Sequence, residues 1–151
     1  MDAKLTKTTA THGVAWERSY GYVQAVRVKD TIYLSGQLSH DGEGNFVAPA
    51  NLDDAGKPAD YSQMEGQFRQ TYVNAKKILA EFGATLDDVV EEAVFVLDIP
   101  SGFAAASKVR KEMYGTEVPQ CASSIVGVSG LAQPVQLVEI TFRAVINDRP
   151  S

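Results

Sequence analysis

Residues 137–146 read LVEITFRAVI, and their alternation decides the fold. Val138, Ile140, Phe142, Ala144 and Ile146 fall on one face; Leu137, Glu139, Thr141, Arg143 and Val145 fall on the other. That is the two-residue period of a β-strand with one side turned to a core. Glu139 interrupts the second side in the middle of an apolar strand, where a carboxylate is costly without a partner or water. Two readings stand side by side: an exposed or Arg143-paired surface glutamate, and a general acid/base in a cleft between subunits.

Working back from this strand, TIYLSG (Thr31–Gly36) is β-branched and aromatic before a glycine, and Gln24–Lys29 alternates ahead of it. Lys29-Asp30 turns the two into a hairpin. Residues 41–60 are rich in Gly, Pro, Asp and Asn and form a loop, with a short strand at Asn45–Ala48. Ser62-Gln-Met-Glu65 carries the capping-box pattern. After it Met64, Phe68, Thr71 or Tyr72, Ala75, Ile78, Leu79 and Phe82 recur at helical spacing until Gly83. Asp88–Ile99 (DVVEEAVFVLDI) is a buried strand, and Phe103–Tyr114 a second helix with Ser101 as N-cap and Gly115 as stop. A strand from Pro119 to Val128 follows. If Ala122, Ser124, Val126 and Val128 of that strand face the core, Cys121, Ser123, Ile125 and Gly127 share the other face with Glu139.

Strand, strand, helix, strand, helix, strand, strand is best satisfied by one α/β (α+β) domain spanning 1–151. Its single mixed sheet has five to six strands and carries both helices on one face. The other face keeps apolar residues such as Leu137 and Val145, which invites subunit association.

Composition narrows the function classes. A chain of 151 residues with net charge −5 and pI near 5.0 has its basic residues scattered, the densest group (Lys108, Arg110, Lys111) sharing its segment with Glu112. A nucleic-acid surface needs them clustered. No run of about 20 apolar residues is present for a membrane span. The N-terminal MDAKLTKTTA has no apolar core behind its lysines, so no secretory signal is expected, and one cysteine fits the cytoplasm. His12, His40 and Cys121 are too few and too dispersed for a metal site, and no GxGxxG or GxxxxGK[ST] occurs. No cofactor is expected.

Val118–Val126 reads VPQCASSIV, and Cys121 is the only cysteine. Sequence spacing allows His40 to act as its base. The plainer reading makes His40 a solvated loop residue and Cys121 a small core filler.

Several stretches together resemble the RidA/YjgF family of reactive-intermediate deaminases along nearly the whole chain. They are Tyr22-Val-Gln-Ala-Val, Ser35-Gly36-Gln37, Gln67-Phe-Arg-Gln-Thr-Tyr-Val-Asn74, Val94–Asp98, Leu131 and Val138-Glu139-Ile140. The resemblance implies a chorismate-mutase-like fold and a homotrimer with a small-molecule cleft at each subunit interface. There, enamines and imines such as 2-aminoacrylate are hydrolysed without a cofactor. It makes Tyr22, Ser35 and Gly36 cleft residues and Glu139 the acid that activates water. The family's carboxylate-binding arginine, in a Pro-Ala-Arg motif, is missing. Counting back from Leu131 puts Ser123 in its place, and counting forward from Pro119 puts Cys121 there. Ser107 replaces an asparagine of the second helix. Arg18, Arg69, Arg110 and Arg143 are the candidates to substitute for the lost guanidinium.

Overall fold

The computed structural model describes residues 3–147. Its sheet has six strands in the order β1-β2-β3-β6-β4-β5: β1 (Thr8–Ala10), β2 (Ala25–Val28), β3 (Thr31–Gln37), β4 (Val89–Val96), β5 (Ala122–Gly127) and β6 (Val138–Val145). All neighbours are antiparallel except β4 and β5, which α3 (Ile99–Tyr114) connects as a parallel crossover. The long helices α2 (Met64–Ala80) and α3 lie together over one face. Their apolar stripes, with Phe68, Tyr72, Ile78, Leu79 and Val109 fully buried, meet Ile32, Val94, Val96, Ile140, Phe142 and Ala144 of the sheet. The predicted in-facing set of β6 is the set that is buried.

Several elements depart from the sequence reading. β1 and a short helix α1 (Ala15–Tyr20) precede the hairpin; three and six residues are too few to carry a periodic signal. The Ser62–Glu65 capping box does not form, because Asp60 Oδ1 takes both the backbone N–H (3.0 Å) and the hydroxyl (2.6 Å) of Ser62. α2 starts at Met64 without a side-chain cap. Ser101 is not an N-cap either. α3 begins earlier, capped by Asp98, whose Oδ2 accepts from Ser101 N at 3.0 Å, with Pro100 in the first turn. Gly115 does end it, in the left-handed conformation at φ 73°. The stretch at Asn45–Ala48 contributes only an isolated bridge, His40 to Phe46.

The polar residues on the inner side of α2 hold the loops to the sheet. Gln67, fully buried, donates to the carbonyls of Ala48 (2.9 Å) and Val135 (2.8 Å) and accepts from Leu137 N (2.8 Å). Asn74 donates to the carbonyls of Leu38 (2.7 Å) and His40 (3.0 Å). These bonds satisfy backbone groups that have no strand partner and fix both chain segments that enter the cleft described below. Replacing Gln67 with Leu leaves the Leu137 N–H and the Ala48 carbonyl without this partner in the interior, while the Val135 carbonyl keeps the Ala50 N–H at 3.0 Å. We expect a loss of at least about 1–3 kcal/mol, read as a lower urea midpoint at unchanged m-value.

Candidate active site

β3 and β6 pair regularly up to Leu34 opposite Phe142, then resume at Gln37 opposite Ile140. Three steps along β3 match two along β6, so a bulge falls at Ser35-Gly36. It has two results. Gln37, which simple alternation would place on the face of Tyr33 and Ser35, turns into the interior and is 1% exposed. Gly36 comes so close to β6 that a Cβ there would overlap the Glu139 carboxylate. A side chain at this position would force the Glu139 carboxylate to move from where it lies.

The carboxylate of Glu139 therefore lies over bare backbone. Its Oε1 accepts from Gln136 Nε2 at 3.3 Å, and that fully buried amide also bonds the Val138 carbonyl at 3.0 Å. Arg143 does not pair with Glu139. Its guanidinium sits 5.3 Å from the Tyr33 ring centroid and 3.7 Å from Glu91. Around Glu139 opens a cleft of about 570 Å³ lined by Trp16, Tyr20, Tyr22, Ser35, Gly36, Leu38, Ala132 and Gln133. α1 delivers Trp16 and Tyr20 from one side of its helix; with six residues it was invisible to periodicity, although the Trp–Tyr spacing of four was a usable signal. Trp16 is held edge-on against His40 (5.0 Å), which in turn meets His12 (4.9 Å). His40 is thus a buried ring in an aromatic stack, 3% exposed, and not a solvated loop residue. Ser35 spends its hydroxyl proton on the Val23 carbonyl (2.8 Å). Its oxygen is left as an acceptor toward the cleft.

Tyr22, Ser35, Gly36 and Glu139 are thus brought together within one chain. Cys121, Ser123 and Ser107 are not. Parallel pairing sets Ser123 opposite Glu92, and Glu92 opposite Phe142, so Cys121, Ser123 and Ile125 follow the helix-covered side. Ala122, Ser124 and Val126 share the open face with Glu139, the reverse of the expected phase. The reason is a buried carboxylate. Glu92, 2% exposed, accepts from Tyr72 OH (2.8 Å), Tyr114 OH (2.9 Å) and Ser123 Oγ (2.8 Å), and forms an ion pair with Arg110. Desolvated charge of this kind requires every partner it can get, and Ser123 is one. Cys121 packs beside the cluster, its Sγ 3.6 Å from Tyr114 OH. Burial pushes its thiol up, so the thiolate a nucleophile requires is disfavoured. It is not paired with His40. Ser107 is exposed on α3, donating to the Phe103 carbonyl at 2.8 Å.

The four arginines are also placed. Arg69 is bonded to Glu112 (2.6 Å), Arg110 to Glu92 and Arg143 to Glu91. Arg18 is exposed on α1 and lines a shallow depression on the other side of Tyr22. Among the described residues no group of three or more His, Cys, Asp or Glu could hold a metal ion, and no helix is long and apolar enough to cross a membrane.

A single mixed sheet under two long helices, with a bulged strand opening onto one glutamate in a cleft, defines a protein of the α+β class. The profile of the family described as Endoribonuclease L-PSP matches residues 13–146, and the chain belongs to this family, that of the RidA/YjgF proteins. It is 31% identical over 125 residues to the 2-iminobutanoate/2-iminopropanoate deaminase of Dermatophagoides farinae, covering 83% of this chain and 85% of that protein. It is 32% identical over 132 residues to Protein MMF1, mitochondrial, of Saccharomyces cerevisiae, covering 87% and 80%. Among solved structures it resembles Rv2704 of Mycobacterium tuberculosis, a member of the YjgF/YER057c/UK114 family (TM-score 0.72, 26% identity, 93% of this chain and all of that one). Yeast Mmf1 is similar at TM-score 0.70 and 28% identity, over 93% and 98% of the two chains.

The overlap at Gly36 is with the Glu139 side chain, so Gly36→Ala should be costly only while Glu139 is present. We expect a loss of about 1–3 kcal/mol in the native background and much less in Glu139→Ala, a coupling read from a double-mutant cycle of urea unfolding.

Proposed function

We propose that this protein is a small-molecule hydrolase of the deaminase type, acting on a reactive imine, enamine or related metabolite with Glu139 activating water. One observation carries the reading: a carboxylate with no basic partner among the described residues that line its cleft, held by a neutral amide over a glycine at an aromatic-walled opening. A carboxylate tied up in an ion pair is a poor base; this one is free to take a proton. Relatives named 2-iminobutanoate/2-iminopropanoate deaminase support the same chemistry.

In the proposed step, Glu139 takes a proton from water as the oxygen attacks the imine carbon. That proton passes to the nitrogen to complete the carbinolamine; its hydroxyl proton then moves to the amino group through the same carboxylate as the C=O forms and the C–N bond breaks, and ammonia leaves with a ketone. Imine and water go in; ketone and ammonia come out, with no redox change. An enamine enters through its imine tautomer. No cofactor takes part in these steps. Tyr22, Ser35 and Gly36 bind the substrate. Cys121, Ser123 and Ser107 could reach a cleft only where a second copy presents its own β5 and α3.

We infer a homotrimer with the clefts at its interfaces. All of β5 except Ile125 is exposed on an unpaired edge, and the open face presents Tyr33 and Val126, both over 40% exposed. An apolar open face and a bare edge are what subunit association covers. The cytoplasmic placement rests on the single unpaired cysteine. An RNA substrate is disfavoured by the net charge of −5 and by the carboxylate in the cleft.

Ammonia release from freshly generated 2-iminopropionate tests the reading. Wild type should accelerate it, and Glu139→Ala should lower the rate by about 100-fold or more while sedimenting like wild type. Equal rates in the two would exclude Glu139. No acceleration by a correctly assembled wild type would favour a non-catalytic module that binds a metabolite through the same cleft.

A further inference from the structure

Behind the cleft, four side chains form one line of hydrogen bonds. His12 Nε2 meets Gln37 Oε1 at 2.8 Å, Gln37 Nε2 meets Gln24 Oε1 at 2.9 Å, and Gln24 Nε2 meets the Tyr22 hydroxyl oxygen at 3.2 Å. A glutamine amide can be turned either way until a neighbour of known polarity fixes it. That neighbour is the Ser35 carbonyl, which can only accept and lies 2.9 Å from the same Gln37 terminal atom that meets Gln24. The atom is therefore the nitrogen. Gln37 must then show its oxygen to His12, whose Nε2 carries the proton. Gln24 must show its oxygen to Gln37 and its nitrogen to Tyr22. Turning either amide round would set donor against donor or acceptor against acceptor. With Gln24 2% and Gln37 1% exposed, water cannot relieve such a mismatch.

The Tyr22 oxygen thus accepts a hydrogen bond from Gln24, and its own hydrogen has no place on that side. We propose that Gln24 and Gln37 are positioning residues that fix Tyr22 as a hydrogen-bond donor into the cleft. The ligand group facing Tyr22 is accordingly an acceptor: a carbonyl or carboxylate oxygen, or an unprotonated imine nitrogen, and not an ammonium. The bulge at Ser35-Gly36 supplies the anchor, since it turns Gln37 inward to within 2.9 Å of the Ser35 carbonyl. Burial pushes the Tyr22 phenol up, and Glu17 and Glu139 act in the same sense, so the hydroxyl keeps the proton it donates. The Gln24 amide pulls the other way, as a donor to the oxygen must.

The direction of the last bond can be read without a substrate. In protein labelled with 4-¹³C-tyrosine, Tyr22 is assigned by its loss in Tyr22→Phe and titrated in wild type and Gln24→Met. If Gln24 donates, removing it takes away a stabiliser of the phenolate, and the acid dissociation constant of Tyr22 falls about two- to tenfold. If the bond ran the other way the constant would rise. A rise, or no change, overturns the proposal. Gln37→Met, which frees the Gln24 amide to turn, should lower the constant in part, and the double variant should go no further than Gln24→Met alone; additive effects would contradict the relay. A functional arm rests on the proposed imine hydrolysis. There Gln24→Met should lower kcat/KM by about two- to tenfold, with no further loss on a Tyr22→Phe background. Absence of turnover in wild type would count against the proposed reaction and leave the titration to decide the relay.

Discussion

One extra residue in β3 organises the site. Because Ser35 and Gly36 together stand against a single step of β6, the strand's alternation changes phase at that point. Before the bulge, Leu34 faces the helices and Ser35 opens toward the cleft. After it, Gln37 is buried and available to bond inward. Without the shift, Gln37 would lie on the open face and Glu139 would meet an ordinary pleated neighbour. The sparing of a Cβ at Gly36 completes the arrangement, since the carboxylate can then rest on the backbone of β3.

The two buried or half-buried carboxylates of the sheet are treated in opposite ways. Glu92 is saturated, with two tyrosines, a serine and an arginine on its two oxygens. It serves to hold the edge strand β5 and α3 onto β4. Removing a partner from such a cluster strands a buried charge. Glu139 has one neutral amide and an open side. A saturated carboxylate has no capacity left for chemistry, and this contrast is what separates the two glutamates, which composition alone cannot tell apart. The same cluster commits the charge of Arg110 to Glu92.

Much of this was readable in the residues, and the failures have physical causes. β6 alternates over its eight residues and α2 repeats over nearly five turns, so both could be read from periodicity, although Leu137, expected on the open face, is buried in the core. Glu139 was visible as a polar break in an apolar strand, and Tyr22, Ser35 and Gly36 through family resemblance. The phase of β5 was not legible. ASSIVG offers small residues on both faces, and the side it turns to the helices is set by Glu92, thirty-one positions earlier in the chain. Helix starts were misassigned twice for a similar reason: Asp60 and Asp98 each captured a serine that stands two or three residues on. His40 looked solvated because it sits beside a loop, whereas its ring is packed by His12 and Trp16.

A crystal structure of the assembled protein grown with 2-oxobutanoate, the keto acid expected from 2-iminobutanoate, tests the central claim most directly. The account predicts ligand density between the Glu139 carboxylate and the Tyr22 hydroxyl, over Gly36, with the β5 edge of a second copy closing the cleft. Ligand bound elsewhere, or a cleft filled in the assembly by a side chain paired with Glu139, would contradict it.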